Sequence, residues 1–260
     1  MYPMLHQIFS DKKGGEIFTC FGGWHFFYII LAIATVALSI WVLRNKEQSV
    51  KDKALRVFIG IGFGLYMADI FLMPFAYGEI DVDKLPFRSC TALCIACFLS
   101  NHVSALKKYR VHFAMFAFFS NLMYLVYPAG VMWYEIHPLS YRAVQTLLFH
   151  ASMVVYGILT MVLEWRQLQI KRCYRDLILL GGMTVWAILG NALYSGAADG
   201  YDRDFNWFFV KADPFGLLSA EIAQYVAPIL NIVAFFSLEL LVYLTVRIVE
   251  KRLAKKAPNA

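Results

Sequence analysis

The chain has 260 residues, 60% of them hydrophobic and 16% charged, with a mean hydropathy of +0.57. A soluble core of this length cannot bury so much apolar side chain, so the composition excludes a water-soluble globular domain and makes lipid part of the solvent. The net charge of +6 suits a nucleic-acid partner only until the basic residues are placed along the chain, where they read as membrane topology.

Apolar runs, most of roughly 18 residues or more, recur along the whole sequence, and each is long enough to cross about 30 Å of hydrocarbon at about 1.5 Å per helical residue. They predict an all-α, polytopic transmembrane bundle of about seven spans, at 21–42, 54–77, 85–106, 111–127, 143–163, 177–194 and 217–249, forming one transmembrane domain over 1–260. The first span follows about twenty polar and mixed residues that lack the pattern of a cleavable signal, so it is read as retained. It carries His25 near its start, and the second span carries Asp69.

The third span opens on Leu85-Pro86-Phe87-Arg88-Ser89-Cys90 and sets Cys90, Cys94, Cys97 and Asn101 in one helical stripe. The spacing C-x3-C-x2-C also occurs in radical SAM enzymes, but there it lies in a loop of a soluble barrel, not on an apolar membrane helix. Three thiols on one helical face cannot surround a tetrahedral zinc without distant partners, so Cys94 and Cys97 are read as small packing residues. With Cys20 and Cys173 the cysteines number five, too few for a disulfide scaffold and leaving room for at most one bridge near the outer surface.

The fourth and fifth spans contribute Asn121 and His150, and the sixth ends near Asn191. In the seventh, Glu221, Gln224, Pro228, Asn231 and Glu239 fall within about a quarter of the helical circumference, a stripe expected to face the bundle interior. That span has no lysine, which excludes a retinal Schiff base, and no D-R-Y-like or N-P-x-x-Y-like segment marks a G-protein-coupled receptor.

Seventeen of the 24 Lys and Arg residues lie in the first, third and fifth loops with their flanks and at the C-terminal end. The other loops carry many of the acidic residues, among them Asp81, Asp83, Asp199, Asp202 and Asp204. The positive-inside rule therefore sets the N-terminus outside and the C-terminus in the cytoplasm, in agreement with an odd number of spans.

This orientation assigns depths. Asp69 falls in the outer half of span two, Cys90 roughly 8 Å below the outer start of span three, and His150 roughly 11 Å below the start of span five. Asn191 and Glu221 sit just inside the outer ends of spans six and seven, and His25 and Asn121 border the same layer. Ionisable groups are costly in hydrocarbon, so such a layer marks a functional site or a set of interhelical hydrogen bonds.

Within it Cys90 stands out. Arg88 two residues before it, the free N–H groups of a helix start and a histidine at similar depth are conditions that activate a thiol. A Cys90/His150 pair would perform nucleophilic acyl transfer: the thiolate attacks an ester carbonyl, the imidazole relays the proton, and Glu221 or Asp69 orients the imidazole.

At these residues the chain resembles the YwaF-like family of multi-span membrane proteins, whose animal branch is called transmembrane protein 164. The resembling segments are Gly23-Trp24-His25, Leu85-Pro86-Phe87-Arg88-Ser89-Cys90, Leu148-Phe149-His150-Ala151-Ser152 and Leu189-Gly190-Asn191. The resemblance implies a phospholipid acyltransferase that uses a cysteine and a histidine, at Cys90 and His150 here. Position 88 departs from the family's L-P-x-H-x-C pattern, because Arg88 keeps a positive charge but removes a proton relay.

The sequence thus supports an acyltransferase or hydrolase acting on membrane lipids in the cell membrane, with Asp69, Arg88, Asn191, Glu221 and Gln224 as a supporting polar layer and no metal or soluble cofactor. The alternative is a small-solute or ion transporter in which Asp69, Glu221, Gln224 and Asn231 line a polar path. A third reading is a noncatalytic membrane assembly factor.

Overall fold

A computed structural model describes residues 16–77, 82–132, 135–194, 206–211 and 218–256. Among them every regular element is helical. The acidic loop residues Asp81, Asp199, Asp202 and Asp204 lie outside the described residues.

Seven principal helices follow the seven apolar runs: α1 (Gly23–Leu43), α2 (Gln48–Tyr77), α3 (Ser89–His102), α4 (Arg110–Val126), α5 (Tyr141–Leu163), α6 (Tyr174–Tyr194) and α7 (Ala220–Lys256). A helical turn at Ala129–Met132 and several 3-10 turns connect them. Helices α1, α2, α5, α6 and α7 are long and apolar enough to cross a membrane.

The third run is helical over only 14 residues, or about 21 Å, where a longer span was expected. Pro86 cannot donate a helical hydrogen bond and biases Leu85 away from helix, so α3 begins only after the extended Arg88. At its far end Val103 is extended, and a 3-10 segment, Ser104–Tyr109, carries the chain to α4. Conversely, α7 runs for 37 residues, about 55 Å, and so projects beyond the hydrocarbon at the basic end.

Helix α5 is the centre of the bundle, packing on α1, α2 and most extensively on α4; α6 and α7 pack on each other and join the rest through α4. The α4–α5 crossing is close because Gly157 lies over α4, where a Cβ would come within 2.8 Å of the Ala114 carbonyl oxygen and 2.6 Å of the Phe118 Cβ. The peripheral helices instead turn large apolar side chains outward, among them Ile178 at 67% and Leu193 at 72% exposure. An apolar exterior of that extent is what a lipid-facing surface requires.

Polar side chains also tie the helices together at the basic end, a region read from the sequence only as loop charge. Arg110 is fully buried; it donates from both Nε and Nη2 to the Glu164 carboxylate, from Nη2 to Asp52 at 2.8 Å and from Nη1 to Asn101 at 3.3 Å. Asn101 donates onward to the Tyr156 hydroxyl at 2.6 Å. One guanidinium thus joins α2, α3, α4 and the end of α5. Beside it, His112 Nδ1 lies 2.9 Å from Asp176, and the Tyr243 hydroxyl donates to the other Asp176 oxygen at 2.5 Å, joining α4, α6 and α7.

Candidate functional site

The site begins at the turn into α3. Phe87 is buried and stacks on Trp186 and on Trp207, at centroid distances of 5.0 and 5.1 Å. The Trp186 indole N–H donates to the Pro86 carbonyl at 2.6 Å. Gly190 makes room for this aromatic stack, since a Cβ there would fall 2.3 Å from the Phe87 ring. The chain direction is therefore fixed before the helix starts, and Cys90, its second residue, is delivered into the first turn of α3.

Two further segments buttress the turn. Asp69 of α2, 4% exposed, pairs with Lys84 at 2.7 Å, and the Tyr66 hydroxyl donates to the Lys84 carbonyl at 3.0 Å. From the other side the segment after α6 returns into the bundle. Asn191 brackets Trp207, donating to its carbonyl at 3.1 Å and accepting from its N–H at 3.0 Å, while Asn231 donates to the Phe208 carbonyl at 2.6 Å. These bonds hold Phe208 and Phe209 at φ of 57° and 51°, the left-handed region that side chains with a Cβ rarely adopt, and seat the Phe208 ring against Phe116 and Phe235.

His150 is almost fully buried in α5. Its Nδ1 lies 2.7 Å from Asn121 Oδ1, and its ring stacks on Tyr124 at 3.9 Å and meets the edge of Phe149 at 5.1 Å. Asn121 Nδ2 donates to the Ala117 carbonyl at 2.8 Å, so Oδ1 is the amide atom that faces the histidine. Nδ1 therefore carries the proton in the neutral ring, and Nε2 keeps its lone pair.

Arg88 and Lys84 each act electrostatically on Cys90 and on His150. Among the described residues no hydrogen bond joins Cys90 to His150. The orienting partner of His150 is the amide of Asn121, which the sequence placed only at the margin of the layer; Asp69 is committed to Lys84.

The remaining predicted residues separate by position. His25 is fully buried with both ring nitrogens engaged, by the Phe21 N–H at 2.9 Å and the Leu125 carbonyl at 2.7 Å, and so clasps the start of α1 to the end of α4. Asn191 is a backbone bracket. Glu221 and Gln224, in the first turn and a half of α7, are exposed, whereas Glu239, about five turns further along the same stripe, is fully buried. Cys94 and Cys97 are fully buried in the main apolar cluster, and all five cysteines are free thiols.

Sequence reasoning passed over Tyr66, Lys84 and Tyr124, whose parts depend on packing. Tyr124 lies three residues after Asn121, on the same face of α4, and this spacing is the one signal that links it to the site.

Helices with apolar exteriors, crossing one another around a buried polar layer, define an integral membrane protein. Residues 20–246 match the TMEM164 family, and the chain belongs to that family. No curated protein and no solved structure matches it.

Proposed function

We propose that this protein transfers or hydrolyses acyl groups of membrane lipids, acting in the cell membrane with Cys90 as nucleophile and His150 as base. The observation that carries the reading is the His150–Asn121 bond of 2.7 Å, which leaves Nε2 as the proton-accepting atom of the ring. Family membership supports it.

In the proposed cycle Nε2 takes the thiol proton as Sγ attacks the ester carbonyl. Collapse of the tetrahedral intermediate breaks the ester C–O bond, His150 returns the proton to the departing alcohol, and the acyl group stays on Cys90 as a thioester. A second alcohol, for transfer, or water, for hydrolysis, then attacks the thioester and loses its proton to Nε2; the C–S bond breaks and His150 returns the proton to Sγ. Catalytic hydrogen bonds that are long in a free enzyme tighten when substrate fills the space between the partners. The transporter reading loses two of its path residues, since Glu221 and Gln224 are exposed at the start of α7.

The test is turnover of a fluorescent phospholipid by purified protein in mixed micelles. Cys90→Ala is expected to abolish it and His150→Ala to lower it by on the order of 10² to 10⁴. Asn121→Ala, which frees the ring to turn, is expected to lower kcat by on the order of 10- to 100-fold with little change in KM. Turnover that survives Cys90→Ala at the wild-type rate overturns the proposal.

A further inference from the structure

At the basic end, far along the helices from Cys90, an open cavity of about 530 Å³ lies between the start of α2, the start of α4 and the end of α5. Its walls carry four cations, Lys51, Lys107, Arg110 and Arg166, and one carboxylate, Glu164. With Asp52, which bonds Lys107 and Arg110 from behind at 2.8 Å each, the four positive charges face two negative ones. The guanidinium of Arg110 is immobilised by its partners in the wall, whereas Lys51 is half-buried and Arg166 is exposed.

The backbone adds to this field. Gln48, the first residue of α2, lines the cavity, so a helix N-terminus with its positive dipole end borders it. Leu163 and Trp165 supply an apolar wall, and Arg166 lies over the Trp165 ring at 5.6 Å. A cationic recess with an apolar, tryptophan-bearing side suits a polar anion that stays close to the membrane surface.

We propose that this cavity binds a phosphate group presented at the cytoplasmic membrane surface, either the head group of an anionic lipid or a soluble phosphate ester. Lys51 and Arg166 supply the charge that closes on the ligand, and Arg110, paired with Glu164 and Asp52, fixes the wall between them. The site is separate from the Cys90 reading and stands or falls without it.

The experiment follows the melting temperature of the full chain in detergent by tryptophan fluorescence at constant ionic strength. The probes are inorganic phosphate, dilauroyl phosphatidic acid and dilauroyl phosphatidylcholine, with chloride as reference. Phosphate, phosphatidic acid or both are expected to raise the melting temperature of the wild type. The double variant Lys51→Gln/Arg166→Gln is expected to need at least about tenfold more ligand for the same rise, whereas Lys251→Gln, on the exposed C-terminal part of α7, is expected to behave as wild type. Protection by phosphatidic acid alone assigns a lipid head group, by inorganic phosphate alone a soluble ester, and by both a site that needs only the phosphate. No shift with either probe, or a shift unchanged in the double variant, overturns the proposal.

Discussion

His150 and Arg110 are both buried, and their surroundings give them different work. The imidazole touches one amide and two aromatic rings, so one nitrogen is fixed as the proton carrier and the other keeps its lone pair. The guanidinium is held by two carboxylates and an amide, and it braces four helices. Removing one partner of a buried ion pair strands the other, so Arg110→Ala is expected to cost about 3–5 kcal/mol, seen as a lowered melting temperature in detergent. A double variant in which Glu164 also becomes Gln should recover part of that loss; no recovery would show that the pairing is not what stabilises the basic end. The sequence marked His150, Cys90 and Asp69, because ionisable groups are conspicuous in apolar runs. It did not reveal Asn121 as the partner of His150, since that bond depends on the register of the α4–α5 crossing, nor Arg110 as a buried clasp, since a basic residue beside a loop reads first as topology.

Among the elements, the apolar runs made the long helices legible, whereas α3 turned out shorter and α7 longer than expected, because capping and extended backbone set helix ends more than hydropathy does. The stripe on α7 shows a second limit. A helical wheel gives the width of a polar face but not which stretch of it meets a neighbour, and the same stripe is exposed at Glu221 and Gln224 and buried at Glu239. The element that governs Cys90 is the turn before α3, clamped by the Phe87, Trp186 and Trp207 stack over Gly190. Gly190→Val should push the Phe87 ring away and shift the first turn of α3. The expected result is a loss of about 1–3 kcal/mol of stability with a larger proportional fall in turnover per folded molecule, measured by pairing melting curves with lipid turnover. Turnover that falls only in step with the folded fraction would mean that the stack does not position Cys90.

Across the whole molecule, two polar regions divide the bundle. One holds His150 and Asn121; the other holds Arg110 with its acidic partners and borders the cationic cavity. By the positive-inside rule the loop charges are expected to turn the second region toward the cytoplasm. A single cysteine placed at Lys255 in a cysteine-free background should accordingly react with a membrane-impermeant maleimide only after the cells are permeabilised. Equal labelling of intact and permeabilised cells would reverse the orientation.

In the proposed cycle Cys90 carries an acyl group from a lipid ester to a second alcohol or to water. The most direct test of this step is intact-protein and peptide mass spectrometry after incubation with a phospholipid of defined chains. An added acyl mass is expected on the peptide containing Cys90, removed by neutral hydroxylamine and absent in Cys90→Ala, and accumulating when the acceptor alcohol is withheld. Continued lipid turnover with no acyl group ever found on Cys90 would contradict it.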